Sequence, residues 1–257
     1  MKILEPHKRI IKPDFVMFDF DGTISKLRCG WEEVMRDYMV ACIPGDPQEV
    51  AALAEHYIDE SAGIQTIAQM RWLAGQVRER GGKALDPWDY KDAFNARLME
   101  RVLERKALLQ SGDADAETYL VPGSRSFLAA LRAQNIPLFL ASGTDDADVR
   151  SEAEALQVDG FFDEIAGAPH RADGCAKEAT LRRLLHPDEK MLIVGDGKVE
   201  IRLGREVGAV TLGVASWDRF ENLTASLNPI KENRLTQAGA HALTADYTDM
   251  KTILNWL

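Results

Sequence analysis

Cysteine is scarce in this 257-residue chain, with only Cys29, Cys42 and Cys175, widely spaced and without a CxxC pair. An odd number at such spacing indicates neither a disulfide framework nor a zinc site, so reduced, structural thiols are expected. Basic residues are outnumbered, 31 Lys and Arg against 41 Asp and Glu, for a formal net charge of -10. A surface of that sign repels phosphate backbones, which argues against nucleic acid as a partner and requires any phosphorylated ligand to meet a local positive site. No stretch approaches the roughly 20 apolar residues of a membrane helix. The opening MKILEPHKRIIK carries charge throughout, where a secretory signal would be apolar. No membrane partner and a cytoplasmic location are therefore expected. Internal repeats and low-complexity tracts are also missing, which sets aside solenoids and long disordered linkers.

What the chain does contain is a regular alternation. Residues 15–20 (FVMFDF) form a short, mostly apolar run that follows Pro13 and is punctuated by Asp21-Gly22-Thr23, the pattern of a buried strand entering a turn. Similar runs recur at 136–141, 191–194 and 209–214, with weaker ones at 161–165 and 242–244. Helical patterns over 124–134, 146–156, 176–185 and 199–207 lie between them. Strand and helix in alternation predict an α/β core: a Rossmann-like, doubly wound parallel sheet covered on both faces.

Between residues 26 and 118 the alternation stops and only helical signals remain, at 31–42, 48–58, 66–80 and 87–109. Asp86 followed by Pro87 is a good helix start. The expected organisation is a core of residues 1–25 and 119–257 with an inserted all-α cap over 26–118.

Strand ends are where an open α/β sheet binds ligands. The first strand delivers Asp19 and Asp21, alternate residues on an extended segment, so both carboxylates could address one site. Burying two acids beside Phe18 and Phe20 costs free energy unless a cation or a proton compensates them. The run at 138–141 leads into Ser142-Gly143-Thr144, which offers a hydroxyl and a glycine N–H to an anion. The run at 191–194 leads into Gly195-Asp196-Gly197, with another carboxylate at the same edge. Each motif alone also reads as an ordinary turn or helix cap. A lysine is available from the preceding loop: Arg171, Lys177 and Lys190 are all near in sequence, and Lys177 opens a helix after Asp173-Gly174.

Together, Asp19-Phe-Asp21-Gly-Thr23, Ser142-Gly143, a lysine upstream of the last motif, and Gly195-Asp196 followed by Glu200 resemble the haloacid dehalogenase superfamily of aspartate-nucleophile hydrolases. The layout is most similar to its phosphoglycolate phosphatase and beta-phosphoglucomutase branch. The resemblance implies a Rossmann-like core with a helical cap inserted after the first motif, and a Mg²⁺-dependent phosphatase acting on a small-molecule phosphate ester. It makes Asp19 the nucleophile, Asp21 the general acid and base, and Lys177 the cation that neutralises Asp19 and the phosphate. Ser142 and Gly143 would grip phosphate, and Thr23 would hold the same turn. The metal set would be Asp19, the Asp21 carbonyl and Asp196. Where the family usually has a second aspartate in the last motif, this chain has Glu200, a longer carboxylate that could reach a metal-bound water. Lys198, inside the same loop, would have to point outward.

The alternatives are a phosphomutase, phosphonate carbon–phosphorus cleavage through a cap lysine (Lys83 or Lys91), and a catalytically silent module. Within the cap, the polar loop of residues 60–66 precedes a helix start, so Gln65 and Thr66, with Gln69 and Arg97, are expected to read the organic part of the substrate. His170 is a weaker candidate for substrate contact. The five tryptophans read as packing residues.

Overall fold

The computed structural model describes residues 1–8, 10, 12–169, 171, 175–186, 189–217, 220 and 226–257, Ala176 through its backbone alone. The chain divides into two compact units, Met1–Leu27 with Lys106–Leu257, and Arg28–Arg105.

The first unit is α/β. Its seven-stranded sheet runs, from one edge to the other, β1 (Lys2–Ile3), β7 (Ala242–Thr244), β6 (Val210–Val214), β5 (Met191–Gly195), β2 (Phe15–Phe18), β3 (Leu138–Asp145) and β4 (Glu164–Ala168). Among the described residues of this sheet, β1 pairs antiparallel with β7 and the other strand pairings are parallel. From β2 the chain steps outward through β3 to β4, then returns to the opposite side of β2 as β5. In such sheets the carboxyl ends of the strands beside a reversal of this kind are the usual ligand position.

The apolar run of β2 has no polar alternation because both faces are covered. Val16 and Phe18 join one core cluster, with Leu138, Leu192 and Leu212 from neighbouring strands and Phe127 and Leu128 from α5 (Ser124–Ala133). Phe15 and Met17 join a second cluster on the other face, with Ile193 and with Leu181 from α7 (Ala176–Leu184). Phe18 is fully buried and meets Phe127 and Phe162 edge-on at 6.2 and 6.1 Å. Burial of such a ring stabilises by roughly 1.5–3 kcal/mol. Other α-helices of this unit among the described residues are α6 (Asp146–Ala155), α8 (Lys198–Glu206), α9 (Pro229–Ala238) and α10 (Met250–Trp256).

The second unit is helical. It comprises α1 (Trp31–Cys42), α2 (Pro47–Ser61), α3 (Thr66–Glu79) and most of α4 (Pro87–Ser111) around a core that includes Met35, Met39, Leu73, Phe94 and Leu98. Tyr57 stacks on Trp72 at 3.8 Å. The division falls inside α4, earlier than the expected residue 118. The reason is that Leu109 and Ala114 pack on the α/β core, while Lys106 donates to the Ser151 hydroxyl of α6 at 2.5 Å.

Candidate active site

The site begins where β2 ends. Asp19, one residue past the strand, still donates its N–H to the Val194 carbonyl of β5 at 2.9 Å, so its carboxylate leaves from the middle of the sheet. The chain then turns tightly: the Gly22 N–H bonds to the Ser25 carbonyl at 2.8 Å, and the Ile24 and Ser25 N–H groups return to the Phe20 carbonyl at 2.8 and 2.9 Å. Gly22 has a φ of +74°, and a Cβ there would strike the Asp196 carboxylate, so conformation and space both require glycine.

Lys177, in the first turn of α7, is buried and places Nζ 2.9 Å from Asp19 Oδ1 and 2.9 Å from Glu200 Oε2. Glu200 is fully buried in α8, and its other oxygen accepts the Gly197 N–H. Its side chain lies so close to Gly195 that a Cβ at that position would collide with it. Asp19, Asp196 and Glu200 each offer a carboxylate oxygen, all within 4.8 Å of one another. Burial pushes the Asp19 carboxyl well above the usual carboxylate range; Lys177 opposes the rise, and the Glu200 and Asp196 charges add to it. Burial also works against the charge on Lys177, but the facing Asp19 and Glu200 outweigh it and raise its pKa. A crowd of carboxylates of this kind is relieved by further positive charge.

Asp21 is held differently. The Thr144 hydroxyl donates to its Oδ2 at 2.7 Å. Ser142 is buried, and its hydroxyl accepts the Thr144 N–H at 3.0 Å. The pairing of β3 with β4 slips between Ala141 and Asp145, which leaves Ser142, Gly143 and Thr144 outside the matched register. The space where a Gly143 side chain would stand is open. Thr23 is fully buried, and its hydroxyl has no hydrogen-bond partner among the described residues. Its carbonyl accepts from Tyr247 Oη at 3.1 Å, a contact the sequence reading missed. Burial, then the charges of Asp196 and Asp19, pushes the Tyr247 hydroxyl far above its ordinary pKa, so it donates and does not ionise.

The sequence reading also missed Lys231. This buried lysine of α9 donates to Asp196 Oδ2 at 2.7 Å and to Ser216 Oγ at 3.4 Å. Ser216 in turn donates to the Gly22 carbonyl at 2.7 Å. A lysine three residues into a helix looks solvated in sequence; the readable signal was only the helix start itself, Asn228-Pro229, whose Asn228 side chain caps α9.

The α/β unit therefore gathers Asp19, Asp21, Thr23, Ser142, Gly143, Lys177, Asp196 and Glu200 around the ends of β2, β3 and β5. Of the rival cations, Arg171 and Lys190 are exposed. Lys198 is a half-buried residue opening α8. Gln65 and Thr66 belong to the helical unit, where Gln65 is the residue before α3 and both are half-buried. Gln69 is buried there and donates to Ser61 Oγ at 3.0 Å, and Arg97 lies over the Tyr38 ring at 4.5 Å. Gln69 is thus engaged inside the helical unit, while Arg97 is exposed. His170, Asp173 and Gly174 lie outside the described residues.

Among solved structures, the fold is similar to a protein described as a predicted phosphoglycolate phosphatase from Haemophilus somnus, with TM-score 0.63 and 16% identity over 95% of this chain and 99% of that one. It is similar also to a beta-phosphoglucomutase from Clostridium difficile, with TM-score 0.61 and 14% identity over 95% and 97%. A haloacid dehalogenase-like family hydrolase from Streptococcus pneumoniae aligns with TM-score 0.59 and 16% identity over 95% and 99%. These likenesses establish the fold. A search of curated proteins finds no match. The family model for haloacid dehalogenase-like hydrolases matches residues 13–208, a span that begins just before β2 and ends after α8 and so contains Asp19, Asp21, Ser142, Lys177, Asp196 and Glu200. The chain belongs to the haloacid dehalogenase-like hydrolase family.

Proposed function

We propose that the protein is a Mg²⁺-dependent phosphatase that hydrolyses a small phosphate monoester through an aspartyl-phosphate on Asp19. The observation that carries this reading is the convergence of buried Asp19, bonded to Lys177, with Asp196 and Glu200 at one strand edge. A carboxylate so placed attacks phosphorus and expels the substrate alkoxide, which splits one hard displacement into two. Asp21, oriented by the Thr144 hydroxyl, hands a proton to the departing oxygen. It later takes one from the water that opens the aspartyl-phosphate. Lys177 offsets charge on the transferred group, and Ser142 with the Gly143 N–H holds the phosphoryl oxygens.

The residues fit a hard divalent cation. The donors are all oxygens, and the three clustered carboxylates outnumber the two bonded ammonium groups, Lys177 and Lys231. Asp19, Asp196 and the Asp21 carbonyl would hold Mg²⁺. When bound, the ion neutralises charge at the phosphoryl oxygens. Both Glu200 oxygens are engaged, by Lys177 and by the Gly197 N–H. Its part is to fix Lys177. The cytoplasmic setting belongs to the same proposal, and the three cysteines are free thiols.

The test is release of inorganic phosphate, with Mg²⁺, from a panel of sugar phosphates, phosphoglycolate, nucleotides and polyol phosphates. Wild-type protein should release phosphate from at least one of them without a sugar-phosphate activator, which separates hydrolysis from a phosphomutase. Asp19→Asn should release none, because an amide does not attack phosphorus. Undiminished turnover in that variant would end the covalent mechanism.

A further inference from the structure

Lys231 lies outside the motifs that define the site and beyond the stretch matched by the family model, yet it is bonded to one of the site's carboxylates. Three observations show that its position is built. The residue is 5% exposed, and burial of an ammonium is costly without a partner. It stands in the first turn of α9, where the helix dipole disfavours a cation. And it belongs to a chain of bonds that joins four segments: Lys231 to Asp196 Oδ2 at 2.7 Å, Lys231 to Ser216 Oγ at 3.4 Å, and Ser216 Oγ to the Gly22 carbonyl at 2.7 Å. The start of α9 is itself tied to the end of β6, with the Asn228 N–H on the Ala215 carbonyl at 2.8 Å.

We propose that Lys231 is a positioning residue that fixes the Asp196 carboxylate by occupying Oδ2, so that Asp196 offers a metal ion one oxygen in one orientation. The inference rests on the metal-dependent reading above. Lys231 also sets the charge of the site: its loss removes one of the two ammonium groups bonded to the three clustered carboxylates.

Two consequences follow for Lys231→Met, which keeps most of the side chain's apolar stem. Loss of a nearby positive charge and release of Oδ2 tighten divalent-ion binding, while loss of the fixed orientation lowers turnover. Removal of a metal ligand does the reverse to binding, so Asp196→Ala is the contrast.

The test is calorimetric titration of Mg²⁺ into the metal-free proteins, with Tb³⁺ luminescence as a second probe, beside kcat and KM at saturating Mg²⁺. In Lys231→Met the Mg²⁺ dissociation constant should fall by about tenfold, the direction Coulomb's law requires. Its kcat should fall by at least about tenfold with KM nearly unchanged, as for an interaction realised in the transition state. Lys231→Arg, which keeps the charge, should return ion affinity to near the wild-type value. If Lys231→Met does not fold, Lys231→Gln carries the same expectation.

Unchanged or weaker Mg²⁺ binding in a folded Lys231 variant, with wild type binding normally, would overturn the inference and leave the proposed function standing. Wild-type protein that binds no divalent ion would overturn both.

Discussion

Replacing Lys177 with methionine removes the ammonium on which the centre of the site is built. That ammonium is bonded at 2.9 Å to both Asp19 and Glu200, whose side chains are 7% and 1% exposed. Without it two buried carboxylates face each other with no cation between them. Breaking a buried ion pair from one side costs roughly 3–5 kcal/mol, a large part of the ~5–15 kcal/mol that holds a typical domain folded.

Protonation limits the cost. Burial has already pushed the Asp19 carboxyl up, and loss of its opposing lysine raises it further, so in the variant Asp19 takes up a proton first. The folded state then binds more protons than the unfolded one between the ordinary carboxylate range and the raised value, and stability falls as pH rises through that window. The deficit of Lys177→Met relative to wild type should therefore be larger at about pH 8 than at about pH 5.5. The assay is urea unfolding followed by tryptophan fluorescence, with m required to be unchanged. Lys177→Met/Glu200→Gln should recover part of the loss, because an amide in place of one carboxylate removes the repulsion. A deficit below about 1 kcal/mol, the range of an exposed pair, or one independent of pH, would refute the reasoning.

Asp21→Asn keeps the shape of the side chain and removes the acid, so turnover of an alkyl phosphate should fall by about 10²–10⁴-fold; a loss under about threefold would reduce Asp21 to a turn residue. Gly22→Ala should cost about 1–2 kcal/mol for its left-handed backbone and displace Asp196. The Mg²⁺ concentration for half-maximal activity should rise, and an unchanged Mg²⁺ dependence would count against the close approach. His241 is buried with Nδ1 accepting the Thr211 N–H at 3.0 Å, and burial, then Arg205, hold its pKa below the ordinary 6.5. A depressed histidine stabilises fully above its unfolded value and loses that contribution as pH falls below it, so the Tm of wild type should drop more steeply between about pH 7 and pH 5 than that of His241→Gln. Equal slopes would show that this ring does not carry the effect.

The parts of the molecule that were legible in the sequence are those with local causes. The apolar run of β2 and the Asp19-to-Thr23 turn announce a buried strand end; the observed strand stops at Phe18, and Asp19 adds one more N–H bond to β5 before the chain turns. The helices α1 and α4 begin where Trp31 and Asp86-Pro87 suggested, since a first-turn proline or a change of period is visible within a few residues. The weak strand at 161–165 was displaced: the structure puts β4 at Glu164–Ala168 and gives residues 159–161 to a short 3-10 helix. Its apolar pair Phe161 and Phe162 packs beneath the sheet instead of pairing within it.

Sequence alone determined which residue types arrive at strand ends, because strand period, turn chemistry and helix starts are all set by neighbours along the chain. The resemblance of these motifs to a known family, more than any one local signal, singled out Asp19, Asp21, Ser142, Lys177, Asp196 and Glu200. Only the tertiary structure decided how they are joined: Lys177 bridging Asp19 and Glu200, Thr144 holding Asp21 across 123 residues, Tyr247 holding Thr23 across 224, and Lys231 holding Asp196 across 35. Lys231 and Tyr247 carry no local signature, since a lysine early in a helix and a tyrosine in a loop look solvated until the fold buries them. Burial then makes an unpartnered polar group costly, so the long-range bond forms, and nothing in the local periodicity of the chain records which partner it will be.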